Sequence, residues 1–297
     1  MAFLAPLANL ALLHGDLSKL SGPYWTDWHF EPSVVVGTFG LAAAYVAWTG
    51  PLNRRRPGAA SRPVTFGQRV AFLLGCLILF VALGQPLDHW SDGLLVSAHM
   101  VQHLLLTLLV PPLWLFGTPA WVLRPLLRWR AVAWLGYTLT RPLVAFALST
   151  LAITIWHVPA LYDASVRNLP LHILQHQVFL GTALLAWWPL LGPLPEWPKL
   201  SPPLQCLYLF LQTLPGGVVG SIITLAAPGL YAAYDGAPRM WGISPATDQQ
   251  VAGLLMWIFT STVYLLLVTV IFFRWAAREE RAEVGATHGT RPAPIGR

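Results

Sequence analysis

The chain has 297 residues, 56% of them hydrophobic and only 10% charged. A soluble fold of this length needs far more charge on its surface, so the composition excludes a water-soluble globular domain and points to a protein embedded in a bilayer. The formal net charge of +6 admits a nucleic-acid binder, a class that the placement of the cations then removes.

Crossing ~30 Å of hydrocarbon takes about 20 apolar residues as a helix, and seven such stretches follow one another. Residues 1–32 precede them as an outer N-terminal segment. Its run Met1 to His14 is mildly apolar but lacks the basic start of a secretory signal peptide. The first span, Val34 to Trp48, is the shortest, and the Arg/Pro stretch Pro51 to Pro63 after it reads as a loop with little structure. The second span covers Phe66 to Leu83 and the third Leu94 to Phe116, with Pro111-Pro112 in its later part as an expected break in the helical ladder. Pro142 to Val158 forms the fourth and Leu171 to Leu191 the fifth. The sixth, Pro203 to Ala226, carries Leu214-Pro215-Gly216-Gly217 and then Gly220 and Ser221, a pattern better suited to kinking and close helix packing than to a pore. The seventh is Gln249 to Phe273. The spans make one domain, 33–275, and 276–297 reads as a tail, mostly disordered from Gly285 onward, with His288 inert in it.

Fifteen of the 18 Lys and Arg residues fall on alternate connections: Arg54, Arg55, Arg56, Arg62 and Arg69; Arg124, Arg128, Arg130 and Arg141; Lys199; and the tail arginines. The other side holds Lys19, Arg167 and Arg239. Positive residues near span ends stay on the cytoplasmic side. The expected architecture is therefore an all-α, polytopic membrane helix bundle of seven transmembrane helices, with the N-terminus outside and the C-terminus cytoplasmic. Nucleic-acid binding is not expected, because topology accounts for the cations. Trp25/Trp28, Trp187/Trp188 and Trp275 at span ends form an interfacial belt. Cys76 and Cys206 are too few and too scattered for a disulfide framework and read as core residues.

The outer connections carry His14, His29, His89, Asp27, Asp88, Asp92, Asp163, Asp235 and Asp248, which are potential ligands or supports for ligands. Two histidine pairs, His99/His103 and His172/His176, are each spaced i, i+4 at the start of a span, so each pair stacks on one helix face. The third and fifth spans run in the same direction, which puts both pairs at one depth near the outer side. His157 closes the fourth span and Asp248 precedes the seventh at that level. Ionisable groups inside spans are costly and face the bundle interior or a cavity. Together these six residues are the candidate metal site, provided the third and fifth spans are neighbours.

Imidazole suits copper, zinc, iron and nickel. No carboxylate lies between the paired histidines, which disfavours a bridged di-iron site. His99-Met-Val-Gln-His103 has no Glu and so is not a zinc-protease motif. Met100 and Met256 offer thioethers that copper(I) accepts, though core packing is their ordinary role. Gln102, Gln175, Gln177 and Gln250 are candidate partners for imidazole N–H groups. These details weigh toward copper without identifying the ion or its oxidation state. Two alternatives stand beside copper handling at one face: a copper transporter, and a membrane cytochrome with bis-His haem. No nucleophile–base–orienter set occurs, so an enzyme is not expected.

Four separated segments carry a family resemblance: Ser97-Ala-His99-Met-Val-Gln-His103 through Pro111-Pro112 to Gly117-Thr-Pro119; Trp156-His157-Val-Pro159-Ala-Leu-Tyr162-Asp163; Leu171-His172-Ile-Leu-Gln-His176 with Trp187-Trp188-Pro189; and Tyr231 to Trp257, with Trp241-Gly242 and Asp248-Gln249-Gln250. In that order, over Gln85 to Phe273, they resemble the polytopic CtaG-type cytochrome c oxidase assembly proteins. The resemblance implies a multi-pass bacterial inner-membrane protein that supplies copper to nascent cytochrome c oxidase subunits, with a copper chaperone as a possible further partner.

Overall fold

The computed structural model describes residues 31–54 and 64–289. Expectations that concern Met1 to His14, Lys19, Trp25, Asp27, Trp28, His29, Arg55, Arg56, Arg62, Arg291, Arg297 and the side chain of His288 lie outside the described residues. Every regular element among the described residues is helical. Six helices are long and apolar enough to cross a membrane, and a seventh is counted if one bent pair is a single span. They are α1 (Pro32–Thr49), α2 (Phe66–Leu83), α3 (Val96–Gly117), α5 (Leu169–Leu191), α6 (Pro202–Leu225) and α7 (Pro245–Glu283), with α4 (Pro142–Trp156) as the shorter seventh. The last helix runs on to Gly289, past the expected end of the span domain at 275.

At 15 residues, α4 is about 22 Å long, short of the hydrocarbon thickness. The helix Arg130–Leu139 precedes it at a 73° bend. The cause is local: Arg141 sits before Pro142 and is pushed out of the helical region, with ψ of 131°.

The prolines of α3 do not break it. Leu105–Leu109 forms a π turn, and the α-helix restarts at Val110 with Pro111 and Pro112 in its first turn. There a missing N–H costs nothing, because first-turn amides have no partner within their own segment. A second π turn, Leu255–Phe259, interrupts α7. The Pro-Gly-Gly stretch of the sixth span leaves α6 continuous, with Pro215 inside it. Its glycines serve packing instead. A Cβ on Gly220 would meet the Gly253 carbonyl at 2.7 Å, and one on Gly253 would meet the Gly220 carbonyl at 2.6 Å, so α6 and α7 touch backbone to backbone.

Helix α3 packs against both α2 and α5, and α4 against α5 and α6. The third and fifth spans are therefore neighbours, the condition on which a shared site depended. Met100 and Met256 lie in one buried apolar cluster with Val96, Tyr162, Ile223 and Tyr231, which ties α3, α6 and α7 to the loops over that end. Large apolar side chains such as Leu77, Leu143, Val218 and Phe273 are exposed on the outside of the bundle, as a lipid-facing surface requires.

Candidate metal centre

Helical spacing places His99 and His103 on one side of α3, and His172, Gln175 and His176 on one side of α5. Because α3 and α5 pack together, the two faces meet. Imidazole centroids lie 4.2 Å apart for His99/His103, 4.3 Å for His172/His176, 5.2 Å for His99/His172 and 5.5 Å for His103/His176. His157, one residue past the end of α4, adds a fifth ring 5.9 Å from His103. All five are buried. His99, His103 and His176 each bring a ring nitrogen within 4.8 Å of the other two.

Three of the rings have a polar atom beside the nitrogen facing away from the cluster. His172 Nδ1 lies 3.1 Å from Asp92 Oδ1, His157 Nδ1 lies 2.7 Å from the Ile153 carbonyl, and His99 Nδ1 lies 3.3 Å from the Ser91 carbonyl. The carbonyl acceptors behind His157 and His99 favour a proton on Nδ1 and leave a lone pair on Nε2. In His99, His103, His157, His172 and His176 the Nε2 atom is buried without a hydrogen-bond partner among the described residues, and His103 Nδ1 is as well. Burying one such atom costs about 1–3 kcal/mol. Five gathered in one place make a donor set whose chemistry fits a metal ion, with His99, His103 and His176 the closest three.

Tyrosines pack over one end of the cluster. The Tyr234 hydroxyl donates to the Ser91 carbonyl at 2.9 Å and lies 3.3 Å from His99 Nδ1 and 3.1 Å from the Tyr162 hydroxyl. Burial holds the Tyr162, Tyr231 and Tyr234 hydroxyls well above the usual phenol range, so they stay protonated.

Within residues 43–278 the chain matches the family described as cytochrome c oxidase caa3 assembly factor. The chain belongs to that family. Among its relatives are uncharacterized proteins of Mycobacterium bovis and Mycobacterium tuberculosis, each 24% identical over 272 residues, which is 86% of this chain and 40% of theirs. A Mycobacterium leprae protein, also uncharacterized, is 24% identical over 278 residues, 88% of this chain and 41% of its own length. The chain thus spans about two fifths of the length of these relatives. No solved structure matches it.

Asp248 and Gln102, two residues expected at the site, make other contacts in the structure. Asp248 is at the histidine end but outside the imidazole group, since its carboxylate accepts from the backbone amides of Val96 and Ser97 at 2.7 and 3.0 Å and from the Ser97 hydroxyl. The residue that precedes α3 is Leu95, whose side chain cannot cap it, so Asp248 supplies the missing acceptor from another helix. Its neighbour Gln249 does similar work, accepting from Gly229 and Leu230 amides and donating to the Ile223, Ala226 and Ala227 carbonyls at the end of α6. Gln102 likewise does not serve an imidazole; it donates to the Ala82 carbonyl at 2.8 Å and Asp88 Oδ1 at 2.9 Å. Ser91, Tyr162 and Tyr234 went unread as parts of the site. Tyr162 stands in the Trp156 to Asp163 motif, but no spacing rule ties it or Tyr234 to His99.

Proposed function

We propose that this caa3 assembly-factor chain holds copper as cargo at the histidine end of its bundle and hands it to a nascent subunit of a haem-copper oxidase. His99, His103 and His176 are the primary ligands, with His172 and His157 completing the set or passing the ion on. The observation that carries the reading is the group of buried, unpartnered imidazole nitrogens. Imidazole donors suit copper, and family membership supplies an oxidase that needs it. The cysteines lie elsewhere: Cys76 packs with Tyr45 and Phe72, and Cys206 Sγ contacts the Val268 carbonyl. The alternation of cations supports a histidine end outside a bacterial inner membrane, facing the compartment where a partner subunit or chaperone would meet it.

Ring packing disfavours haem. Bis-histidine ligation needs two imidazoles on opposite faces of a macrocycle, whereas His99 and His172 are stacked at 14° with His176 against both. Transport through the bundle is also disfavoured. A cavity of about 70 Å³ continues inward from His103 and His157 past Gln212 to Tyr264. It has room for a few waters, and among the described residues its lining offers no further His, Cys or carboxylate.

The test is metal analysis of purified wild type and the His99→Ala/His103→Ala double variant, alongside oxidase activity of cells making each. Copper in the wild type, lost together with oxidase activity in the double variant, is expected. Unchanged copper content overturns the ligand assignment.

A further inference from the structure

The histidine cluster is not sealed on all sides. A groove of about 330 Å³ lies between α1, the end of α2 and the first turns of α5. His172 and His176 line it, at 3% and 8% exposure, and both present an Nε2 with no partner. His99 and His103 are absent from its lining and sit behind them, with His103 5.5 Å from His176. On the far side of the cluster, His103 and His157 face the small inner cavity instead.

The groove also has acidic residues: Glu31 and Asp88 line it, Asp92 lies beside it against His172, and among the described residues its lining holds no Lys or Arg. A cleft with carboxylates and low-dielectric walls concentrates cations and repels anions. Its floor on the α1 side is Gly37, where an added Cβ would meet nothing within 4 Å. A larger side chain there would project into open space without disturbing packing.

We infer that this groove is the exchange route of the site: a small cation enters and leaves along it, meeting His172 and His176 before His99 and His103. The inference rests on the copper reading above, and adds which side of the cluster opens, which two ligands act first, and why carboxylates stand there.

Blocking the groove tests it in the full chain in detergent or nanodiscs. Gly37→Trp fills the groove, and Gly40→Trp on the same helix is the control, since a Cβ at Gly40 also meets nothing and the residue does not line the groove. Two rates are read: copper(I) loading from a competing chelator, and carbethoxylation of the peptide carrying His172 and His176 by diethyl pyrocarbonate. Gly37→Trp should slow both about tenfold or more at unchanged final copper content, an effect on rate rather than equilibrium, while Gly40→Trp changes neither. Should Gly37→Trp fail to fold, Gly37→Cys blocked after folding with a bulky methanethiosulfonate gives the same comparison, with identically treated wild type as reference. Wild-type rates in the blocked protein, at normal copper content, overturn the route and leave the copper reading intact. Wild-type protein that takes no copper at equilibrium overturns the copper reading and this inference with it.

Discussion

Asp248 reaches from the start of α7 to the first turn of α3, where its carboxylate receives the Val96 amide at 2.7 Å and the Ser97 amide at 3.0 Å. The α3 N-terminus carries the positive end of the helix dipole, so a buried carboxylate there satisfies amides and complements charge at once. It also fixes the turn from which His99 projects. Asp248→Ala should therefore lower stability by about 1–3 kcal/mol, the cost of a lost cap with buried amides left unpaired. Asn, which keeps one acceptor, should cost less. Thermal unfolding in detergent measures both, and copper content of the folded fraction should match wild type. Loss of copper at unchanged stability would place Asp248 in the ligand set.

His172 is oriented from outside the cluster by Asp92, 3.1 Å from its Nδ1. A carboxylate behind a ligating imidazole fixes the tautomer and raises the basicity of Nε2. Removing such a support typically lowers metal affinity by 10–100-fold. Asp92→Ala should weaken copper(I) binding by about that factor in a competition titration, with Asp92→Asn intermediate. An unchanged affinity would remove His172 from the site while leaving His99, His103 and His176.

Tyr234 plays the corresponding part for His99, through a hydroxyl that donates to the Ser91 carbonyl and lies 3.3 Å from Nδ1. Tyr234→Phe keeps the ring and its packing and removes only the hydroxyl. The expected result is a stability loss of about 0.5–1.5 kcal/mol and weaker copper binding at unchanged stoichiometry. Equal affinities for Phe and Tyr would show that Ser91 alone holds His99.

The helices were legible because hydrocarbon thickness sets their length; α2 has the expected bounds, and α1, α3, α5 and α6 start or end within two residues of them. The histidine pairs were legible because i, i+4 spacing fixes a face and span direction fixes a depth. Which helices are neighbours is not written in any one segment, so the meeting of α3 and α5 had to come from the structure. Both π turns escaped for a related reason: residues 105–109 and 255–259 carry no local mark, and the register change answers to Pro111-Pro112 in one case and to packing against α6 in the other. Asp248 was placed at the right end, but its contact with the α3 amides was not legible, because a carboxylate one helix away from an uncapped N-terminus looks, in sequence, the same as one beside a metal.

The contact between α6 and α7 gives a prediction independent of any metal. At Gly220 a Cβ would come within 2.7 Å of the Gly253 carbonyl and 2.8 Å of the Trp257 amide nitrogen, both backbone atoms that cannot rotate away. Gly220→Ala must therefore push the two helices apart or strain them, at about 1–3 kcal/mol for overpacking a close contact. Gly40 in α1 is the contrast, since its Cβ would meet nothing within 4 Å. There the same substitution should be neutral or slightly stabilising, by up to about 1 kcal/mol from helix propensity. Thermal unfolding of the two variants side by side separates the outcomes, and a Gly220→Ala protein as stable as wild type would mean that α6 and α7 do not meet backbone to backbone.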